Sequence, residues 1–258
     1  MGKAVRQRRL TALREKFFLA HRTPVNQLTN IDHFKVISFD CYGTLIDWEH
    51  GILGAVKPIL TQHRLSVSDD DILKTHARLE SEIESGPYQP YRKVLRAAMA
   101  RMAEQFGCVL NNTECDAIVS SLPSWLPFDD TVAALKALKS RYRLAIISNT
   151  DDDLFADTNR HLDVEFDYII TAAQVGAYKP SPRVFEYALQ KIGCPKGRLL
   201  HVAQSLYHDH VPAKRLGLST VWIDRRQGGP GSGATPEAVA SPDFTFPDLA
   251  SLVREMGL

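Results

Sequence analysis

Acidic, basic and amide side chains follow four short apolar runs in this 258-residue chain, a pattern that could support nucleophilic catalysis. Asp40 ends the first run, Ser148 and Asn149 end the second, Lys179 follows the third, and Asp209 comes shortly after the fourth. A carboxylate beside a lysine can act as a nucleophile, because the nearby cation keeps the carboxylate ionised. Hydroxyl and amide groups can stabilise the charge on a reacting carboxylate.

Each of these groups also has a purely structural explanation. An aspartate before a glycine-containing turn, such as Asp40, is commonly a turn former, and Asp209 could cap the helix that follows it. The Lys179-Pro180 dipeptide fits an ordinary surface loop, and Asp151–Asp153 fits the acidic first turn of a helix. The occurrence of all four groups at successive strand ends favours a functional interpretation.

The apolar runs are continuous rather than alternating, which is typical of buried parallel strands. They are Val36–Asp40, Leu144–Asn149, Tyr168–Thr171, Leu199–Gln204 and Ser219–Asp224. Helical patterns separate the later runs, at Thr131–Leu138, Arg183–Ile192 and His210–Leu216. Strand–helix alternation of this kind predicts an α/β protein with a doubly wound parallel sheet, in which ligands bind beyond the carboxyl ends of the strands.

The long segment between the first and second strands contains helical patterns but no clear strand, for example at Asp71–Glu84 and Tyr91–Phe106. Residues 226–242 are rich in Gly, Pro and Ser and predict a long loop. The predicted organisation is therefore a basic N-terminal extension (1–32), a core formed by 33–47 and 127–258, and a helical cap (48–126) inserted after the first strand.

Charge and composition exclude several classes of protein. The chain is 44% hydrophobic and 24% charged, which is ordinary for a globular protein and excludes wholesale disorder. The net charge of +1 argues against a nucleic-acid coat. Residues 1–22 contain seven basic residues and one acid, so the rest of the chain has 24 basic and 29 acidic residues. We therefore expect a mildly acidic body with a basic N-terminal arm and no nucleic-acid partner.

Cysteine usage and hydropathy bear on location. The four cysteines (Cys41, Cys108, Cys115 and Cys194) form no C-x-x-C pair, and we interpret them as reduced thiols. No apolar run approaches the roughly 18 residues of a membrane span. The basic arm lacks the hydrophobic segment of a secretory signal. These features predict a cytoplasmic protein without a membrane partner.

The strand ends together resemble the four motifs of the haloacid dehalogenase (HAD) superfamily. The matching segments are Phe39–Leu45 (FDCYGTL), Ser148-Asn149, Lys179-Pro180 and Ser205–Asp209. The resemblance covers the chain from residue 34 almost to its end, with the helical insertion in the place of that superfamily's cap. It implies a Rossmann-like core and a hydrolase that uses an aspartate nucleophile, and most members of the superfamily are phosphatases.

A Mg²⁺-dependent phosphatase is therefore one alternative. The phosphatases of the superfamily have a second aspartate two residues after the nucleophile and another acid in the last motif, but this chain has Tyr42 and Gln204 at those positions. Mg²⁺ binds mainly through carboxylates, so the loss of two acids weakens such a site. The sequence predicts no bound metal and no other cofactor.

The D-x-Y-G-T form of the first motif instead resembles the L-2-haloacid dehalogenase branch, which needs no metal and attacks C2 of a small 2-substituted carboxylic acid. The resemblance implies four catalytic residues. Asp40 is the nucleophile, and water then hydrolyses the aspartyl ester. Lys179 keeps Asp40 ionised, and Thr44 hydrogen-bonds it. Asp209 orients Lys179 or the hydrolytic water.

The same resemblance implies a set of substrate-binding residues, which are Tyr42, Trp48, Ser148, Asn149, Gln204 and Ser205. Ser148 and Asn149 would hold the substrate carboxylate or the carboxylate of the nucleophile. Trp48 would line the pocket and form a cation–π contact with an ammonium, or alternatively pack in the core.

Departures from the dehalogenase pattern bear on the leaving group. Dehalogenases place an arginine early in the cap, for which Arg78 is the nearest candidate here. Three other segments, Phe39–Trp48, Ser205–Ala213 and Trp222–Arg226, resemble azetidine-2-carboxylate hydrolases. Those enzymes open a strained four-membered imino acid to a 2-hydroxy-4-amino acid, so the leaving group is a ring ammonium rather than a halide.

We therefore predict a metal-independent hydrolase that acts at C2 of a small 2-substituted carboxylic acid through an aspartyl ester. The predicted reaction is azetidine-2-carboxylate ring opening or L-2-haloacid dehalogenation. A Mg²⁺-dependent phosphatase and a catalytically silent interaction protein are the alternatives. The small carboxylic acid is the expected partner, and a homodimer is expected by analogy with related dehalogenases.

Overall fold

A six-stranded parallel sheet forms the centre of the computed structural model, which describes residues 33–227 and 233–258. The strands are β1 (Val36–Phe39), β2 (Arg143–Ser148), β3 (Tyr168–Thr171), β4 (Leu199–Ala203), β5 (Ser219–Ile223) and β6 (Phe244–Phe246). Their order in the sheet is β3-β2-β1-β4-β5-β6. The predicted doubly wound α/β fold is confirmed, whereas the predicted extension 1–32 lies outside the described residues.

Helices lie both between the strands and in a long insertion. Those of the insertion, between β1 and β2, are α1 (Trp48–Gln62), α2 (Asp69–Glu84), α3 (Tyr91–Phe106), α4 (Asn112–Cys115) and α5 (Ala117–Ser121). Those that follow are α6 (Thr131–Lys139), α7 (Asp152–Leu162), α8 (Ala172–Val175), α9 (Pro182–Ile192), α10 (Val211–Arg215) and α11 (Leu249–Glu255). None of the described helices is long and apolar enough to cross a membrane.

The central strands are buried along their whole length, which explains their continuous apolar sequences. Every residue of β1 and β4 is buried. Strand β1 pairs with β2 on one side and with β4 on the other, so that Phe39 is in register with both Ile146 and Val202. The strand order reverses between β1 and β4. Their carboxyl ends therefore form the switch point at which open α/β sheets bind ligands.

The helices of the insertion, which we call the cap, pack through apolar faces of helical spacing. Helix α3 has the bounds that its periodicity predicts, and it buries one face that contains Leu95, Ala98, Met99 and Met102. It ends at Gly107, whose φ of +93° is a conformation that suits glycine. Helix α2 begins two residues earlier than predicted, after Ser68 accepts the N–H of Asp71 at 3.1 Å.

The segment after β4 corrects one local prediction. We expected a helix at His210–Leu216 opened by Asp209, but a π-helical turn occupies Leu206–His210 and α10 follows it. Ser205 caps this turn by accepting the N–H of His208 at 2.9 Å. The helix end therefore does not need the Asp209 carboxylate, which is turned into the protein interior.

Strand β6 is a second difference from the predicted elements. The described parts of 226–242 contain neither helix nor strand, as expected, but Phe244–Phe246 then pairs with β5. Three residues with a threonine in the middle are too short to give a recognisable strand pattern. The pairing with β5 therefore comes from tertiary context.

Candidate functional site

Asp40 lies directly after β1, at the switch point of the sheet. Its main-chain N–H donates to the carbonyl of Val202 in β4 at 3.1 Å. The tight turn that follows contains Gly43 at a φ of +88° and brings Thr44 back to the aspartate. The Thr44 Oγ1 donates to Oδ2 of Asp40 at 2.7 Å and accepts the N–H of Gln204 at 2.9 Å. One carboxylate oxygen of Asp40 is thus held by its own turn.

Lys179 holds the other oxygen of Asp40. Its Nζ donates to Oδ1 of Asp40 at 2.8 Å, to Oδ1 of Asp209 at 2.8 Å and to the carbonyl of Ile147 at 2.9 Å. Burial alone would lower the pKa of Lys179, but the Asp209 and Asp40 carboxylates hold it above its usual value. Lys179 therefore stays charged between two carboxylates although its side chain is only 1% exposed.

The two carboxylates differ in how strongly they favour ionisation. Burial raises the pKa of Asp40, an effect that Lys179 opposes. Burial would also raise the pKa of Asp209, but Lys179 and His201 hold that pKa far below its usual range. Asp209 is therefore the permanent negative charge of the site, and the ionisation of Asp40 depends on Lys179.

His201 was not among the predicted site residues. It lies in the middle of β4, where its Nδ1 is 2.9 Å from Oγ of Ser38 and its Nε2 is 3.0 Å from Oδ1 of Asp209. The ring also makes an edge contact with Phe185. A histidine within an otherwise apolar strand is the sequence signal that points to such a buried polar contact. His201 anchors the carboxylate that in turn positions Lys179.

Ser148 and Asn149 end β2 beside Lys179 but make different contacts. The Asn149 side chain pairs with the main chain of Lys179: its Nδ2 donates to the carbonyl at 3.0 Å, and its Oδ1 accepts the N–H at 2.7 Å. It therefore orders the loop that carries the lysine. The Ser148 Oγ is buried without a hydrogen-bond partner among the described residues. Ser148 is the member of the pair that can bind an added ligand.

A small cavity joins these residues to the cap. It has a volume of about 30 Å³ for the centre of a water molecule, which is room for only a few non-hydrogen atoms. It is lined by Asp40, Tyr42, Trp48, Glu80, Glu84, Tyr91, Ser148, Asn149, Lys179, Ser205, His208, Asp209 and Thr235. The fold thus brings together eight of the ten predicted site residues around one cavity. The other two, Thr44 and Gln204, do not line it.

The remaining predicted residues lie around this cavity in specific ways. Gln204 uses its Oε1 to accept a hydrogen bond from Thr235 at 3.3 Å. The Tyr42 hydroxyl is 2.7 Å from Oγ1 of Thr158, and burial raises the pKa of this phenol. Trp48 is buried and makes an edge contact with His76. Tyr42 and Trp48 therefore present aromatic surface to the cavity.

The cap contributes two carboxyl groups that were not predicted. Glu80 and Glu84 are buried, lie one turn apart on α2 and line the cavity. The Tyr91 hydroxyl donates to Oε1 of Glu80 at 2.7 Å, and Asn149 Nδ2 lies 3.3 Å from Oε2 of Glu84. Burial raises the pKa of Glu80 to about 7 and that of Glu84 well above its usual value. We call Glu80 and Glu84 the cap carboxyl pair.

A sequence signal for the cap carboxyl pair does exist. Leu73 and Ala77 are buried on α2, and Glu80 and Glu84 continue the same stripe at helical spacing. Acids on the apolar face of a helix are unusual, because burying a carboxyl group is costly. Arg78, the candidate cap arginine, lies elsewhere: its guanidinium donates to Glu82 and Gln105, and it does not line the cavity.

The residues present do not fit a magnesium ion. Oδ1 of Asp40 and Oδ1 of Asp209 both accept from Lys179, so an ammonium already lies between them. Tyr42 and Gln204, at the two positions where acids would be needed, offer no carboxylate. His208 and His210 point to different partners, Ser205 Oγ and the Ala203 carbonyl. Among the described residues, no group of three or more His, Cys, Asp or Glu side chains is arranged to hold a metal ion.

Comparisons with known proteins agree with this arrangement. A family model described as haloacid dehalogenase-like hydrolase matches residues 34–215. The chain is 27% identical over 226 residues to haloacetate dehalogenase H-2 of Moraxella sp. (strain B), covering 85% of this chain and 96% of that one. It is 26% identical over 231 residues to an (S)-2-haloacid dehalogenase of Pseudomonas sp. (strain YL), covering 87% and 95%. The crystal structure of an L-2-haloacid dehalogenase matches with a TM-score of 0.71 at 26% identity, covering 87% of this chain and 99% of that one.

Proposed function

The chain belongs to the haloacid dehalogenase-like hydrolase family, and from this premise we propose that it displaces a substituent from C2 of a small carboxylic acid through an ester with Asp40, without a metal ion. The observation that carries the proposal is the contact of Lys179 Nζ with Oδ1 of Asp40 at 2.8 Å, at the wall of a small buried cavity. A lysine at this distance keeps an aspartate ionised and fixes its orientation for attack.

The proposed reaction has two steps. In the first, a carboxylate oxygen of Asp40 attacks C2, and the bond from C2 to its substituent breaks with the electron pair on the leaving group. In the second, water attacks the carbonyl carbon of the Asp40 ester and releases a 2-hydroxy acid. The unpartnered Oγ of Ser148 is suited to bind the substrate carboxylate. The hydrogen bond from Thr44 and the ammonium of Lys179 stabilise the carboxylate as it leaves in the second step.

Two leaving groups fit this scheme. The relatives named as haloacetate and (S)-2-haloacid dehalogenases support a halide. The resemblance of Phe39–Trp48 and Ser205–Ala213 to azetidine-2-carboxylate hydrolases supports a ring amine. The small cavity suits either acid, because both have only a few non-hydrogen atoms.

An isotope experiment tests the ester. The protein is incubated with L-2-chloropropionate and, separately, with L-azetidine-2-carboxylate, in ¹⁸O-water with EDTA and with enzyme in excess. We expect an unlabelled product hydroxyl and one ¹⁸O atom in Asp40, measured by mass spectrometry of the product and of the peptide. Asp40→Asn is the control and forms no product. A labelled product hydroxyl would mean direct attack by water and would overturn the proposal.

The alternatives predict other outcomes of the same incubation. A phosphatase hydrolyses generic phosphate esters with Mg²⁺, is inhibited by EDTA and leaves both carboxylic acids unchanged. A catalytically silent interaction protein turns over none of these compounds, and Asp40→Asn leaves its biological role unchanged.

A further inference from the structure

The cap carboxyl pair faces the cavity from the side opposite the sheet and has no cationic partner there. Among the described residues that line the cavity, Lys179 is the single permanent cation, and its Nζ already contacts Asp40 and Asp209. The histidines nearest the pair, His76 and His208, lie 3.9 Å from carboxylate oxygens. Burial lowers the pKa of each of these histidines to about 4, so both are neutral. The pair therefore lacks a counter-charge from the protein.

Other atoms show independently that this cavity is suited to bind a ligand. The Oγ of Ser148, which is 1% exposed, and Oδ2 of Asp209, which is 0% exposed, belong to cavity-lining residues and have no hydrogen-bond partner among the described residues. Leaving buried polar atoms unpartnered is costly, and such atoms commonly mark a place that water or a ligand occupies. They lie on the sheet side, opposite the cap carboxyl pair.

We propose that Glu80 and Glu84 bind a positively charged amine attached to C2 of the substrate, so that the enzyme selects cyclic 2-amino acids over 2-haloacids. This inference rests on the proposed displacement at C2 by Asp40. The sheet side of the cavity then takes the substrate carboxylate, at Ser148, and the cap side takes the ammonium. A substrate with a halogen at C2 has no charge to offer the cap carboxyl pair.

The two carboxyl groups do not need to act alike. Glu80 and Glu84 are one helical turn apart and raise each other's proton affinity. When a cation enters, one carboxyl ionises as its counter-ion and releases its proton to solvent. The other keeps its proton. The contact with Tyr91 orients Glu80, and the contact with Asn149 orients Glu84.

The atoms balance through the reaction. The substrate binds with a protonated secondary amine in its ring. Attack by Asp40 on C2 breaks the bond to nitrogen, and the electron pair goes to that nitrogen, which becomes a neutral primary amine. The protonated carboxyl of the pair gives this amine a proton. Hydrolysis of the ester consumes one water, forms the 2-hydroxyl group and releases the proton that restores the carboxyl.

A specificity measurement tests the proposal. Glu80→Gln and Glu84→Gln remove the charge but keep the shape, and Glu82→Gln is the matched control because Glu82 is exposed on the same helix and pairs with Arg78. We expect kcat/KM for L-azetidine-2-carboxylate, relative to that for L-2-chloropropionate, to fall at least tenfold in each of the two buried variants. The control ratio stays that of the wild type. An equal loss on both substrates would mean a structural role and would overturn the proposal.

A binding measurement keeps the test independent of turnover. In an Asp40→Asn background, L-azetidine-2-carboxylate and cyclobutanecarboxylate have nearly the same shape and differ in the ring ammonium. We expect the azetidine acid to bind at least tenfold more tightly and to release protons, measured by calorimetry in two buffers of different ionisation enthalpy. Addition of Glu84→Gln should reduce both the preference and the proton release. Equal affinity for the two acids would overturn the proposal.

The two proposals fail in different ways. A wild-type protein that dehalogenates L-2-chloropropionate through an Asp40 ester, but shows no preference for the cationic ligand, retains the proposed function and loses the cation site. A protein that binds the azetidine acid through the cap carboxyl pair, but places ¹⁸O in the product hydroxyl, retains the cation site and loses the ester mechanism.

Discussion

The carboxylate of Asp151, at the start of α7 in the core, accepts the main-chain N–H of Tyr91, the first residue of cap helix α3, at 2.9 Å. Its second oxygen accepts the N–H of Arg92 at 3.1 Å. Pro90 precedes the helix and provides no side-chain cap, so a core residue satisfies the helix end of the cap. Asp151 is buried. It therefore fixes the position of Tyr91, which in turn holds Glu80.

We expect Asp151→Ala to loosen the cap without unfolding the core. Loss of a helix N-cap costs about 0.5–2 kcal/mol, and the KM should rise because the cavity wall at Tyr91 is no longer fixed. Amide hydrogen exchange in the first turn of α3, together with steady-state kinetics, measures both effects. Asp153→Ala is the control, since that exposed carboxylate contacts only the guanidinium of Arg92. Unchanged exchange in α3 would contradict the proposed role.

Lys179→Met should destabilise the protein and inactivate it. The substitution leaves Asp40 and Asp209 buried without a cation, which costs about 3–5 kcal/mol of stability. The rate should fall by a factor on the order of 10² or more, because the ammonium that stabilises the reacting carboxylate is lost. Urea unfolding and turnover of the preferred acid provide the two measurements.

The double variant Lys179→Met, Asp209→Asn separates these two effects. It removes the unpaired charge of Asp209 and should recover part of the lost stability, but none of the lost activity. Recovery of activity in the double variant would show that Lys179 acts only as a structural counter-ion of Asp209.

Glu80→Gln should change the pH dependence of stability in a defined direction. Glu80 holds a proton up to a pKa of about 7 in the folded protein, compared with an ordinary value of 4.5. The folded state therefore binds more protons than the unfolded state between these values, and the wild type loses stability relative to the variant as the pH rises. The difference should grow by about 1.4 kcal/mol per pH unit within this window.

Urea unfolding at a series of pH values across that window measures the difference. Glu84, His76 and Tyr91 also face Glu80, but they are present in both proteins, so their contributions largely cancel when the variant is compared with the wild type. Glu82→Gln, on the exposed face of α2, should show no such trend. Parallel stability curves for Glu80→Gln and the wild type would mean that Glu80 is ionised in the empty site.

Gly51 and Gly54, on neighbouring turns of α1, should respond in opposite ways to alanine. A Cβ at Gly51 would lie 2.3 Å from Cδ2 of the buried Trp125, whereas a Cβ at Gly54 meets nothing within 4 Å. Gly51→Ala should cost about 1–3 kcal/mol because the core is already filled. Gly54→Ala should gain about 0.5–1 kcal/mol from helix propensity. Thermal unfolding of the two variants measures both, and a stabilised Gly51→Ala would contradict the packing described for α1.

Local sequence properties were sufficient to predict the sheet and the residues at its edge. Continuous apolar runs mark buried strands, and helical spacing gave the bounds of α3. Asp40, Ser148 and Lys179 were predictable as neighbours because the carboxyl ends of parallel strands share one edge of the sheet. The short strand β6 was not predictable, since its three residues have no pattern of their own.

The roles of several side chains depend on contacts between distant segments. Asn149 was predicted to hold a carboxylate, a role that remains a prediction, whereas in the fold its amide orders the main chain of Lys179. Asp209 was expected to open a helix, but Ser205 takes that place and the aspartate meets His201 and Lys179. Such partners cannot be read from neighbouring residues, because a side chain's hydrogen bonds are set by whatever the fold brings within reach.

The sequence by itself determined the fold class, the aspartate at the end of β1 and the set of polar groups that surround it, because these follow from local pattern and from motif. Only the tertiary structure decided that Glu80 and Glu84 face those groups across a cavity of about 30 Å³. Periodicity shows that α2 has a buried face, but the element against which that face packs depends on how the cap folds onto the sheet. The charge that the substrate meets opposite the nucleophile is therefore a property of the packed chain.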